Sequence, residues 1–305
     1  MNRACGADGS PVAGTEVRRL PGDDGSPLAG AEVHYLGSEH VGDEFKIFIG
    51  HCGGSDDIAP VVLYLTDANG LFAGAVDIVR LMQLGAHLPP ILVVGIGYRR
   101  GALGETVGLR TRDLTPTSDA LIARISPDVT VMGGAERFLA FIRDELQPWV
   151  RSRYRVDTED SVYFGHSLGG LFGTYVLLTR PTTFRKYGIG SPSLWWDDDL
   201  MFEYEASYAG THDDLPATVF FTVGAFEDHD GRQREAGRLP PEERAKAGLR
   251  HIDMVADTER MAASLRARHY PNLDLAGTVL PDEFHITVPH LNLSRSLRYL
   301  FDAPR

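Results

Sequence analysis

Ser161-Val162-Tyr163-Phe164-Gly165-His166-Ser167-Leu168-Gly169-Gly170-Leu171 is the stretch on which the reading of this chain turns. An apolar run of strand type ends in Gly-x-Ser-x-Gly, and Leu171, Tyr175 and Leu178 follow at helical spacing. That strand–sharp turn–helix context makes such a pentapeptide a nucleophile elbow. The serine backbone is strained in that turn, so its neighbours at −2 and +2 must be small, and Gly165 and Gly169 meet the need. The turn lifts the Ser167 hydroxyl clear of the sheet and sets it at a helix N-terminus, whose amides favour developing negative charge. A Gly-rich connection with an ordinary serine is the plainer reading of five residues. The flanking strand and helix favour Ser167 as a nucleophile.

Outward from the elbow, strands and helices alternate. Val61–Thr66, Pro90–Ile96, Tyr187–Gly190, Ala217–Val223 and Leu273–Leu280 are short apolar strand runs. Helical spacing is carried by Ile78, Leu81 and Met82, by Phe138 to Val150, by Met254, Met261 and Leu265, and by Val288–Leu300. Residues 99–130 read as irregular, and the polar stretch from His229 to His251 as a lid or excursion. The alternation predicts an α/β fold: a mostly parallel central sheet with helices on both faces. No composition shift divides it, so residues 37–305 read as one catalytic domain.

Ahead of it, Asp8 to Val17 recurs as Asp24 to Val33, a tandem repeat of too few copies for a solenoid. Residues 1–36 therefore read as a flexible N-terminal arm, whose second copy runs into a strand pair, Ala31–Leu36 with Phe45–Ile49. A net charge of −12 argues against nucleic-acid or anionic-membrane partners. Two cysteines, Cys5 and Cys52, imply no disulfide framework. With no apolar leader and no run of membrane-spanning length, the default location is cytoplasmic. A homo-oligomer is left open.

A serine hydroxyl needs a base, usually histidine, itself oriented by a carboxylate. In this fold the partners follow in the order Ser, Asp or Glu, His, on loops at strand carboxyl ends. Strand 217–223 runs into Gly224-Ala225-Phe226-Glu227-Asp228-His229-Asp230, so Glu227, Asp228 and Asp230 are the candidate acids, Glu227 favoured on spacing. Only His285 and His290 lie beyond the last strand; His285 falls in the loop and is favoured, His290 within or beside the closing helix. His166 points away from the hydroxyl by its place in the elbow and reads as a packing residue. The carboxylate cluster has too few ligands at the right spacing for a hard cation, and no cofactor or metal is expected. Two backbone donors are needed for an oxyanion: the amide of Leu168 and one from the loop after strand 61–66, where Asn69 is the choice.

Taken in order, these stretches resemble the putative-esterase branch of the α/β hydrolases. That branch includes enterochelin-type siderophore esterases, feruloyl esterases and antigen-85-like mycolyltransferases. The resemblance runs through Tyr64-Leu-Thr-Asp-Ala-Asn69, Val94-Gly-Ile-Gly-Tyr98, Arg112-Asp-Leu-Thr-Pro116, Glu145-Leu-Gln-Pro148, the elbow, Ser191-Pro-Ser-Leu-Trp-Trp196, Val223-Gly-Ala-Phe-Glu227 and the His285 segment. It covers residues 45 to 302. It implies Glu227 as acid, His285 as base, Asn69 as the second oxyanion donor and Trp195 and Trp196 as substrate-binding. It further implies a siderophore-esterase-like hydrolase of a small-molecule ester or lactone, working without a cofactor. Ala68 departs from the glycine usual there. An acyltransferase using the same three side chains, or a non-catalytic binding protein of this fold, are the alternatives.

Overall fold

Side chains that alternate between two apolar layers turn the strand runs into a sheet covered on both faces. The computed structural model describes residues 18–19, 30–54, 58–99, 103–126, 128–238, 240 and 252–302. Among them are strands β1 (Arg18–Arg19), β2 (Ala31–Ser38), β3 (Asp43–Cys52), β4 (Val61–Leu65), β5 (Ile91–Tyr98), β6 (Ser161–His166), β7 (Lys186–Gly190), β8 (Ala217–Gly224) and β9 (Leu273–Leu280). They lie in one sheet in the order β1-β2-β3-β5-β4-β6-β7-β8-β9. From β5 to β9 every pairing is parallel; β1, β2 and β3 join by antiparallel pairing at one edge. The α/β expectation holds.

Helices α1 (Ala68–Leu84), α2 (Val107–Leu114), α3 (Ala120–Ile125), α4 (Ala135–Ala140) and α5 (Gln147–Arg153) precede the elbow. A π-helical turn, Phe141–Leu146, joins the last two into the long amphipathic helix expected there. Helices α6 (Leu168–Thr179), α7 (Trp196–Ala209), α8 (His229–Ala236), α9 (Met254–Ala267) and α10 (Pro289–Asp302) follow. In β4, Val62 and Tyr64 face one core with Phe138, Phe141, Phe172 and Met261. Val61, Leu63 and Leu65 face the other, with Phe72 and Val76 of α1 and Leu293 and Leu297 of α10. One-residue alternation thus fixes which side of the sheet each helix covers.

Two readings change. The span 99–130 is not irregular: it holds α2 and α3. They escape a periodicity search because α2 buries polar Thr111 and Asp113 beside Leu114, and α3 buries nothing. The boundary drawn after residue 36 falls inside β2, which pairs along its whole length with β3. The rest of the arm, residues 1–17 and 20–29, lies outside the described residues, as do 239 and 241–251 of the expected lid. The lid's start, 229–236, is α8.

The elbow sits at the carboxyl end of β6, between β4 and β7. Its two glycines are required by close approach. A Cβ on Gly165 would stand 2.3 Å from the Gly169 carbonyl oxygen and 2.4 Å from the Tyr163 hydroxyl, and one on Gly169 would stand 2.5 Å from Thr66 Oγ1. Tyr163 uses that space to donate to the Gly169 carbonyl at 2.7 Å. Gly165→Ala is therefore expected to cost about 1–3 kcal/mol by overpacking. Urea unfolding checks this, and a variant as stable as the parent contradicts the packing.

Candidate active site

Parallel strands deliver their following loops to one edge of the sheet, so residues distant in sequence meet there. Ser167 holds φ 62 and ψ −119, a conformation disfavoured for a residue with a Cβ. It is held by its own N–H, which donates to the Gly190 carbonyl at 3.0 Å, and by its carbonyl, which accepts from Leu171 and Ser193. Helix α6 begins at Leu168, so that amide belongs to the first turn, whose N–H groups have no partner inside the helix.

Strands β8 and β9 pair in register up to Gly224 and Leu280 and release their loops side by side. The Phe226 N–H then donates to the Glu283 carbonyl at 3.0 Å and ties the loops together. Glu227 is fully buried. Its Oε2 meets His285 Nδ1 at 2.5 Å, and His285 Nε2 meets Ser167 Oγ at 3.0 Å. The other carboxylate oxygen, Oε1, accepts from the Gly224 N–H at 2.7 Å and the Ser191 hydroxyl at 2.6 Å. Among the candidate acids only Glu227 reaches the imidazole. Asp228 caps α8 through the Gly231 N–H, and Asp230 is exposed on the same helix. His290 lies on α10 with its ring against Gly74 of α1, away from the serine.

Three polar side chains behind this line were not singled out as a group by the sequence. Asn292 Nδ2 donates to Ser191 Oγ at 3.0 Å and to His166 Nδ1 at 3.2 Å. His166 lies with its ring centroid 4.6 Å from that of His285. Burial holds its imidazole well below the ordinary range, and the charges of His285 and Arg110 push the same way. It stays neutral, as a hydrogen-bonding residue behind Ser167. The sequence does carry a signal for Asn292: it shares the buried stripe of α10 with Leu293, Ser296, Leu297 and Leu300. An asparagine in an apolar phase asks for a polar partner.

On the other side of the serine, the loop after β4 is fixed by charge. Asp67 takes the left-handed conformation, φ 56, at the N-cap of α1. Arg110 grips it with two hydrogen bonds, Nε to Oδ1 at 2.7 Å and a terminal nitrogen to Oδ2 at 2.9 Å. The pair is largely buried, and Asp67 raises the Arg110 titration against the opposing cost of desolvation. Asn69 sits in the first turn of α1, and its side chain is spoken for: it accepts from the Tyr98 N–H at 2.7 Å and donates to the Tyr98 carbonyl at 3.0 Å. That clamp ties the start of α1 to the end of β5, whatever its backbone amide does. Arg112 pairs with Asp113 and Asp43.

The tryptophans divide. Trp195 is half-buried and packs beside Val223, Ile252 and Met254. Trp196 is 1% exposed, with its indole N–H donating to the Thr117 carbonyl, so it supports the loop from beneath and has no face for a ligand. Among the described residues no group of three or more His, Cys, Asp or Glu could hold a metal ion. No described helix is long and apolar enough to cross a membrane.

The family model described as "Putative esterase" matches residues 58–241. The ferri-bacillibactin esterase BesA of Bacillus subtilis is 33% identical over 177 residues, covering 55% of this chain and 60% of that protein. A siderophore triacetylfusarinine C esterase of Aspergillus fumigatus is 28% identical over 250 residues, covering 79% of this chain and 81% of the relative. The match to BesA thus spans less than two thirds of that relative's length. The structure of siderophore hydrolase EstA from Aspergillus nidulans superposes with a TM-score of 0.76 at 24% identity, covering 94% of this chain and 99% of that one. This last likeness establishes the shared fold.

The Asp67–Arg110 pair makes a test of the loop. Arg110→Gln leaves a buried carboxylate without its cation, and stability should fall by about 3–5 kcal/mol. Denaturant unfolding measures it, and a loss under about 1 kcal/mol would mean that water reaches and screens Asp67.

Proposed function

This chain belongs to the putative-esterase family, and on that premise we propose that it is a serine carboxylesterase. In this reading it hydrolyses a siderophore-type ester or lactone through an acyl-enzyme on Ser167. The observation that carries the reading is the unbroken line Glu227 Oε2, His285 Nδ1, His285 Nε2, Ser167 Oγ, with contacts of 2.5 and 3.0 Å. Such a line needs the neutral imidazole with its proton on Nδ1, facing the carboxylate, so that Nε2 is free to accept from the serine.

His285 takes the Ser167 proton as Oγ attacks the ester carbonyl. Glu227 stabilises the resulting imidazolium and keeps the ring turned to the serine. The amides of Leu168 and Asn69 receive the oxyanion of the tetrahedral intermediate. Collapse expels the alcohol, which leaves with the proton from His285. Water then attacks the acyl-enzyme with His285 again as base, releasing the acid and restoring Ser167. Trp195, half-buried beside Val223 and Met254, offers an apolar contact to the substrate. The siderophore class rests on the relatives, whose names specify ferri-bacillibactin and triacetylfusarinine C. A cytoplasmic site of action belongs to the same proposal, and the free, buried Cys52 thiol is compatible with it.

Hydrolysis of an ester panel that includes cyclic and linear siderophore esters tests the proposal. Ser167→Ala should lose on the order of 10⁴–10⁶ in kcat with its fold intact. Glu227→Gln should lose about 10⁴, by analogy with the loss of the triad carboxylate elsewhere, while KM changes little. Asp228→Asn and Asp230→Asn should cost much less. If either of the latter is the crippling change while Glu227→Gln keeps its rate, the acid is misassigned. If all three are mild, serine and histidine act as a dyad.

A further inference from the structure

Ser191 is placed in a way that its packing alone does not explain. It follows β7 directly, is fully buried, and holds φ 40, in the left-handed region where glycine is at ease and a residue with a Cβ is strained. Its N–H donates to the Thr222 carbonyl at 2.7 Å, which pins this backbone to the end of β8. Glycine would satisfy that backbone at lower conformational cost, so the serine must be read through its hydroxyl. That hydroxyl lies 2.6 Å from Glu227 Oε1.

The direction of the bond is fixed by the neighbour behind it. Asn292 Nδ2 approaches Ser191 Oγ at 3.0 Å, and an amide NH₂ only donates. The serine proton has no acceptor on that side and is left to the carboxylate. The second proton of the same NH₂ goes to His166 Nδ1, which can accept because the buried imidazole is neutral. All the donors around Oε1 therefore converge: the Gly224 N–H from one side, the Ser191 hydroxyl from the other. With both lone-pair directions of Oε1 taken, the carboxylate plane is set and Oε2 faces His285 Nδ1.

We propose that Ser191 is a positioning residue whose hydroxyl, oriented by Asn292, locks the Glu227 carboxylate toward His285, and that the left-handed strain at Ser191 is tolerated for that purpose. This rests on the acyl-enzyme reading above. Local strain of this kind persists where the surrounding structure over-determines it, and here β7, β8 and α10 do so together. Ser191 touches no reacting atom; it acts through Glu227.

Ser191→Gly separates the hydroxyl from the backbone. Glycine accepts φ 40 without strain, which offsets part of the cost of leaving buried Oε1 and the Asn292 amide one hydrogen bond short. The protein should therefore stay folded, and its melting temperature should fall less than that of Ser191→Ala. Loss of a hydrogen bond to a charged group should lower kcat by about 10- to 100-fold, with KM within about twofold, because the substrate does not meet this residue. Ser191→Ala, which keeps the Cβ, is the second variant and should lose kcat to the same extent. Labelling by a fluorophosphonate should slow in parallel in both. A folded Gly or Ala variant with kcat and labelling rate near those of the parent overturns the proposal. Failure of the parent itself to be labelled would overturn the acyl-enzyme reading instead, so the two failures are distinguishable.

Discussion

A carboxylate with no exposure is expensive unless every oxygen is paired, and Glu227 is the constraint around which the site is assembled. Its partners come from four separate segments: Gly224 on its own loop, Ser191 after β7, His285 after β9, and Asn292 of α10 acting through Ser191. Gly224 is three residues from Glu227 and His285 seven from Asn292, but Ser191 lies 36 positions and His285 58 positions from Glu227. Satisfying this one group therefore fixes the relative placement of three strand ends and a helix.

The sheet register makes that possible. Gly190 sits opposite His166 on one side and Thr222 on the other, so the loops after β6 and β7 leave the sheet at one level, and β8 runs two residues further, to Gly224, beside β9. The Ser167 N–H then bonds back to Gly190, and the Ser191 N–H to Thr222. Strain at Ser167 and at Ser191 is held by the same ladder of parallel strands. On the far side of the serine, the buried Asp67–Arg110 pair does for the loop after β4 what the carboxylate network does for the loops after β7, β8 and β9. The sheet edge and these two flanks together place the Ser167 hydroxyl 3.0 Å from His285 Nε2.

Much of this was legible in the sequence because parallel strands are apolar runs with loops at fixed ends. Leu273–Leu280 was read to its limits, and the line Ser167, Glu227, His285 followed from chain order plus the family resemblance. What stayed hidden depends on long-range pairing. Helices α2 and α3 carry no apolar stripe, since α2 buries polar Thr111 and Asp113 with only Leu114 beside them, and α3 buries nothing. Arg110 could not be matched to Asp67 across 43 positions, nor Ser191 to Asn292 across 101, without the fold. Trp196 misled for a related reason: an aromatic in a site loop reads as a contact for substrate until burial shows that it supports the loop.

In the mechanism proposed above, Ser167, activated through His285, becomes covalently acylated. Rapid quench during turnover of a slowly deacylated ester, followed by intact-mass measurement and peptide mapping, tests it most directly. The expected result is one acyl group per chain, located on Ser167 and absent from the Ser167→Ala protein. Steady turnover with no covalent species on Ser167, or an acyl group mapped to another residue, would contradict it.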